Sequence, residues 1–187
     1  MAGICGFISK QPVSIQNLLA MHQKIAHRGG DDRGVLGIMN DYSCKRIEIN
    51  KDDNCINMSS QHEEKYVAGL GFHRNIPDNA WSKSTIHYEI DGKKYYTVFD
   101  GILYINDHLT EGLGIERQLA ESMDPVALIT LAYHTRGLEM LQIADGSYAF
   151  AIFDEAKKEL IVYRDKLGTK PLYTGMVPMA ISYLQAK

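Results

Sequence analysis

Three thiols, Cys5, Cys44 and Cys55, and seven imidazoles, His22, His27, His62, His73, His87, His108 and His134, are the side chains best suited to soft-metal or nucleophilic chemistry. Metal sites built from such groups need ligands at short regular intervals, as in CxxC, and no such spacing occurs. The pattern predicts no metal centre and three reduced thiols. Two runs rich in glycine and charge invite an anion-binding reading. HRGGDDRG at 27–34 reads as a loop by composition, with His27 and Arg28 as its brace. RDKLGTKPLYTG at 164–175 is basic but lacks any phosphate-loop pattern, so it reads as a structural turn and a contact for another domain.

The elements that must hold these groups follow from periodicity. A short strand is predicted over 3–9 (GICGFIS). A helix follows over about 14–26, with Ser14 as N-cap and Ile15, Leu18, Leu19 and His22 on one face. Strands are predicted near 35–39, 44–49 and 66–72, with a polar exposed connection at 50–65. Asp91-Gly92 between TIHYEI and KYYTVF is a hairpin signal, because both turn positions take positive φ. GILYI at 101–105 continues without a break. Residues 106–120 read as a helix broken by Gly112 and Gly114, and Asp124-Pro125 starts a clear helix running to Gly137. SYAFAIFD and ELIVYRD flank a turn at EAKK and form a closing hairpin. Strands, helices and strands with hairpin links predict an α+β fold with mainly antiparallel sheets.

The chain has 187 residues, 45% hydrophobic and 23% charged, which fits one globular domain over 1–187 with an ample core. A net charge of -3 argues against a dedicated nucleic-acid binder. No apolar run is long enough for a membrane helix, and the N-terminus lacks the basic start of a secretory signal, so a cytoplasmic protein is expected.

Seven segments, in order, resemble the class II glutamine amidotransferase domain, most closely that of asparagine synthetases. They are Met1-Ala2-Gly3-Ile4-Cys5-Gly6 against MCGIxG, His27–Gly34 against HRGPDxxG, and Gly71-Phe72-His73-Arg74 against GHxR. Asp100-Gly101-Ile102-Leu103-Tyr104 stands against NGEIY and Asp124 at the SDxE aspartate. Asp145–Asp154 and Arg164–Tyr173 stand against GxFAFxxxD and RDxxGxKPLYY. The resemblance implies the four-layer αββα sandwich of N-terminal nucleophile hydrolases, made of two mainly antiparallel sheets.

It also implies where this chain departs. In the family an N-terminal Cys, exposed by loss of the initiator Met, attacks the glutamine amide with its own α-amino group as base. Ala2 holds that position and cannot attack a carbonyl. Cys5 has no free α-amino group and is expected to be a buried structural thiol. Asp100 and Gly101 hold the oxyanion-hole positions, where the family has Asn-Gly. A bare carboxylate about 3 Å from an oxyanion would repel it by roughly 5 kcal/mol at an effective dielectric near 20. That exceeds the ~3–4 kcal/mol that one oxyanion donor supplies. Asp100 could donate only if protonated. Ile102 replaces the family Glu that faces the substrate α-amino group, and Phe72 replaces the His of GHxR. Arg74 aligns with the residue that grips the substrate α-carboxylate, and Asp124 with the acid that pairs with the α-ammonium, although Asp124 also suits a plain helix cap.

The expected function is a catalytically inactive amidotransferase-like domain. It would support an asparagine-synthetase-like, ATP-dependent amide-forming partner, as a domain in cis or a separate subunit. Glutamine would bind weakly at most. ATP and Mg would belong only to that partner, because the SGGxDS phosphate signature is absent and the chain ends where the first domain should end. Two other readings stand open: an active glutaminase domain inactivated by an engineered Ala2, and a free-standing amino-acid-binding module using Arg74 and Asp124.

Overall fold

The computed structural model describes residues 2–47, 64–75, 86–177 and 181–186. The expectations for Cys55, His62 and the connection at 50–63, with the ends of the strands expected at 48–49 and 85, lie outside the described residues. The chain divides into two compact units, one of residues 1–75 with 172–187, the other of residues 76–171.

The described residues of the first unit form a six-stranded antiparallel sheet, an α-helix and a short helical turn at Ala26–Arg28. In chain order it contains β1 (Ala2–Ser14), α1 (Gln16–Lys24), β2 (Asp32–Met39), β3 (Cys44–Ile47), β4 (Lys65–Arg74), β9 (Leu172–Val177) and β10 (Ile181–Ala186). The order across the sheet is β3-β2-β4-β1-β10-β9. Cys5, Phe7, Ile15, Leu18, Leu19, Ile25, Val35, Ile47 and Tyr66 form its core.

Three expectations are corrected here. β1 runs to Ser14 rather than stopping at 9. The ladder with β4 is irregular between Ile8 and Val13 and then resumes. Pro12 lies in that interval, where its missing N–H leaves no ladder bond unmade. α1 is shorter than 14–26. Ile15 is its N-cap residue and makes no side-chain cap, while Ser14 Oγ accepts the Gln16 N–H at 3.3 Å. The loop expected over 27–34 is only partly a loop, because Asp32, Arg33 and Gly34 already pair with Arg74, His73 and Phe72 in β2. The returning hairpin β9–β10 was not foreseen. It closes on β1 through pairs such as Cys5 with Gln185, a partnership 180 residues apart along the sequence.

The second unit holds β5 (His87–Ile90), β6 (Lys93–Tyr104), α2 (Asp107–Leu113), α3 (Arg117–Ser122), α4 (Pro125–Arg136), α5 (Met140–Ile143), β7 (Asp145–Asp154) and β8 (Glu159–Arg164). Its sheet is antiparallel in the order β5-β6-β7-β8. The local signals held well. Asp91 and Gly92 both take positive φ, at 50° and 72°. The predicted break in 106–120 falls between α2 and α3, at the left-handed Gly114. α4 begins on an Asp124 cap with Pro125 in its first turn and ends at Gly137. Tyr95, Phe99, Leu109, Val126, Ile129, Tyr133, Tyr148 and Phe150 are among the residues of its core.

Candidate functional site

Ala2 and Arg74 fall in the first unit, and Asp100, Gly101, Ile102 and Asp124 in the second. Each group is described within its own unit.

In the first unit the sheet register builds the cluster. Arg74 is opposite Ala2 on one side of β4 and opposite Asp32 on the other. Arg74 Nε donates to Asp32 Oδ2 at 3.2 Å, and both side chains are nearly buried, at 11% and 3% exposure. Arg28, from the short helical turn at Ala26–Arg28, donates from Nε to the Ala2 carbonyl at 2.9 Å. A Cβ on Gly3 would lie 2.9 Å from Arg28 Cγ, so a glycine is what lets the arginine cross β1. The brace expected of Arg28 is therefore a specific bond to the second residue of the chain. Sequence reasoning missed Asp32 because HRGGDDRG was read as loop, although its acidic pair was visible. Cys5 is buried, and burial pushes its thiol pKa up, which disfavours the reactive thiolate.

In the second unit, β6 carries Asp100, Gly101 and Ile102 in sequence. Asp100 is fully buried, and Lys170 Nζ donates to its Oδ1 at 3.1 Å. Gly101 takes φ 141°, and a Cβ there would come 2.1 Å from the Ser147 carbonyl oxygen of β7, so no other residue fits. Ile102 is 61% exposed. Asp124 Oδ1 accepts the Val126 N–H at 2.9 Å, the capping bond expected of it.

Lys170 was not among the expected site residues. It is delivered by a turn built on Asp165, whose carboxylate accepts the backbone N–H groups of Tyr148, Thr169 and Lys170 and the Thr169 hydroxyl. Burial raises the pKa of this carboxyl, but the hydrogen bonds outweigh burial and hold it down at about 2. The sequence reading weighed Asp100 alone. In the folded unit an ammonium faces it, so the buried carboxylate is charge-paired.

Among the described residues no group of three or more His, Cys, Asp or Glu side chains converges to hold a metal ion. Nor is any described helix long and apolar enough to cross a membrane.

The family model described as a glutamine amidotransferase domain matches residues 77–183. A Methanocaldococcus jannaschii protein, provisionally named a glutamine-hydrolyzing asparagine synthetase, is 28% identical over 179 residues, covering 92% of this chain and 30% of its own length. The glutamine-hydrolyzing asparagine synthetase of Gallus gallus is also 28% identical over 179 residues, covering 92% of this chain and 26% of its own. The chain thus spans less than a third of the length of these curated relatives. Among solved structures, the glutamine phosphoribosylpyrophosphate amidotransferase of B. subtilis superposes with a TM-score of 0.66 at 16% identity, covering 98% of this chain and 41% of that one. That likeness shows the fold: the α+β class with antiparallel sheets expected from the sequence.

Proposed function

The chain belongs to the glutamine amidotransferase domain family, and from that premise we propose that it is a member that does not hydrolyse glutamine and instead supports an amide-forming partner. The partner is an asparagine-synthetase-like, ATP-dependent synthetase domain or subunit, and ATP and Mg are bound there. The observation that carries this reading is the Asp100–Lys170 pair. At the position aligned with an oxyanion donor stands a fully buried carboxylate engaged by an ammonium. A carboxylate accepts hydrogen bonds and donates none, unlike the amide of an asparagine. Together with Ala2 in place of a nucleophile, it takes away both halves of the family's glutamine chemistry.

Arg74 and Asp124 retain the types suited to the two charged ends of an amino acid. The Arg74 guanidinium donates to Asp32 through Nε. Ile102 supplies no acceptor, so free glutamine binds weakly if at all. The turn 165–170 presents Leu167 at 89% exposure, which suits contact with the partner. A sparse, odd set of three cysteines accords with a reducing, cytoplasmic setting.

The test is glutaminase activity of the chain after removal of Met1, followed by two variants. No ammonia above a buffer blank is expected from the chain itself or from Ala2→Cys alone. Turnover is expected to appear only when Asp100→Asn and Ile102→Glu are added. Robust turnover from Ala2→Cys alone would favour an intact glutaminase pocket and overturn the reading.

A further inference from the structure

Two buried imidazoles in the first unit belong to no part of the proposed site. His22 on α1 and His73 on β4 are each 3% exposed, and their ring centroids lie 4.0 Å apart. They form an unbroken chain of polar contacts. His22 Nε2 is 3.1 Å from the Phe72 carbonyl oxygen, His22 Nδ1 is 3.2 Å from His73 Nε2, and His73 Nδ1 is 3.0 Å from the Gly29 carbonyl oxygen.

Counting protons along this chain gives an unusual result. Both ends are carbonyl oxygens, which only accept. Each outer ring nitrogen must therefore carry a hydrogen, and the central N···N contact needs one more. Three hydrogen bonds need three N–H hydrogens, whereas two neutral imidazoles carry two. The neutral pair leaves one contact unmade, either as lone pair against lone pair in the centre or as a carbonyl without its donor. One added proton completes all three and is shared by the two rings.

We propose that His22 and His73 act as a single pH-sensitive clamp, taking up one shared proton that fastens the Gly29 loop to β4. The loop is already close-set. A Cβ on Gly29 would lie 2.2 Å from the carbonyl carbon of Arg74, so movement of Gly29 is felt directly by the backbone of that arginine. Gly30 N–H adds a bond to Asn75 Oδ1 at 2.8 Å.

The surrounding charges set the pH range. Arg33 on β2 opposes a proton on either ring, and His27 in the helical turn opposes one on His73. Cys5 on β1 is a neutral buried thiol, and Asp32 on β2 is paired with Arg74. Burial is the largest influence on both rings. It lowers the His22 pKa to about 3 and lowers that of His73 as well. The uptake therefore falls below the ordinary histidine value of 6.5 and belongs to the pair rather than to either ring.

The test uses the intact chain labelled with nitrogen-15 and carbon-13, titrated by NMR. The expected result is that the four ring nitrogens of His22 and His73 move together with one midpoint below 6.5. The carbonyl carbon of Gly29 should follow the same midpoint as its hydrogen bond is completed. Separate midpoints near 6.5, a Gly29 carbonyl that does not respond, or global unfolding before either ring takes up a proton would each overturn the clamp. None of these outcomes depends on whether the chain hydrolyses glutamine.

Discussion

Among the described residues each unit carries a nearly buried cation–carboxylate pair, and the two pairs are built differently. Arg74 and Asp32 sit opposite one another on adjacent strands, so sheet register alone sets them. Asp100 and Lys170 are 70 residues apart, and the lysine arrives on an irregular turn held by Asp165. The chemistry differs too. Arg74 is a planar guanidinium whose Nε donates to Asp32. Lys170 is a point charge spent on a carboxylate with no exposure at all. The comparison teaches that the same pairing of charges is set by sheet register in one unit and by a carboxylate-held turn in the other.

Breaking the second pair has the largest expected effect. Lys170→Met removes the ammonium from a fully buried carboxylate, and removing one partner of a buried pair costs about 3–5 kcal/mol. Adding Asp100→Asn removes the carboxylate as well and should restore much of the loss. Urea unfolding of the two single variants and the double variant measures this. If Lys170→Met costs less than about 1 kcal/mol, the pair is not the closed feature described.

The Asp165 turn gives an intermediate effect that reads out in pH. Its folded pKa of about 2 lies below the ordinary 3.8, so its contribution is fully present above pH 3.8 and is lost as pH falls toward 2. A shift of that size corresponds to about 2 kcal/mol. Stability measured between pH 6 and 2 should fall over that window, and Asp165→Asn should flatten this part of the fall. An unchanged acid limb in the variant would mean that the turn is not held by this carboxylate.

Asp124 gives the smallest effect and separates its two readings. Asp124→Ala loses the α4 cap and should cost about 1 kcal/mol, whereas Asp124→Asn keeps an acceptor for the Val126 N–H and should cost a few tenths. The same pair of variants, titrated with glutamine by calorimetry, reports on ligand contact. An equal stability loss in both would show that the cap bond is not what Asp124 contributes.

Much of the second unit was legible from local signals. Asp91-Gly92, Asp124-Pro125 and Gly114 each act through the φ or hydrogen-bonding of one or two residues, and each feature lies where the sequence placed it. The first unit was legible in outline only. The strand expected over 3–9 in fact runs on to Ser14, where pairing with β4 resumes at Val13, and Asp31–Arg33 read as loop, yet β2 takes in Asp32 and Arg33 because they pair with Arg74 and His73 on β4.

The sequence by itself determined the α+β class, the Asp91-Gly92 hairpin, the Asp124 cap, and the identity of Ala2, Asp100 and Ile102 at positions that resemble a glutamine site. Those follow from periodicity, turn chemistry and residue type, which act over a few residues. Tertiary structure alone decided that Lys170 faces Asp100, that Asp32 holds Arg74, that β10 closes on β1, and that His22 meets His73. Each is a contact between residues 42 to 180 positions apart, brought within a few ångströms by sheet register and by one carboxylate-centred turn. Charge pairing and proton sharing depend on that separation in space, which residue type and local spacing do not encode.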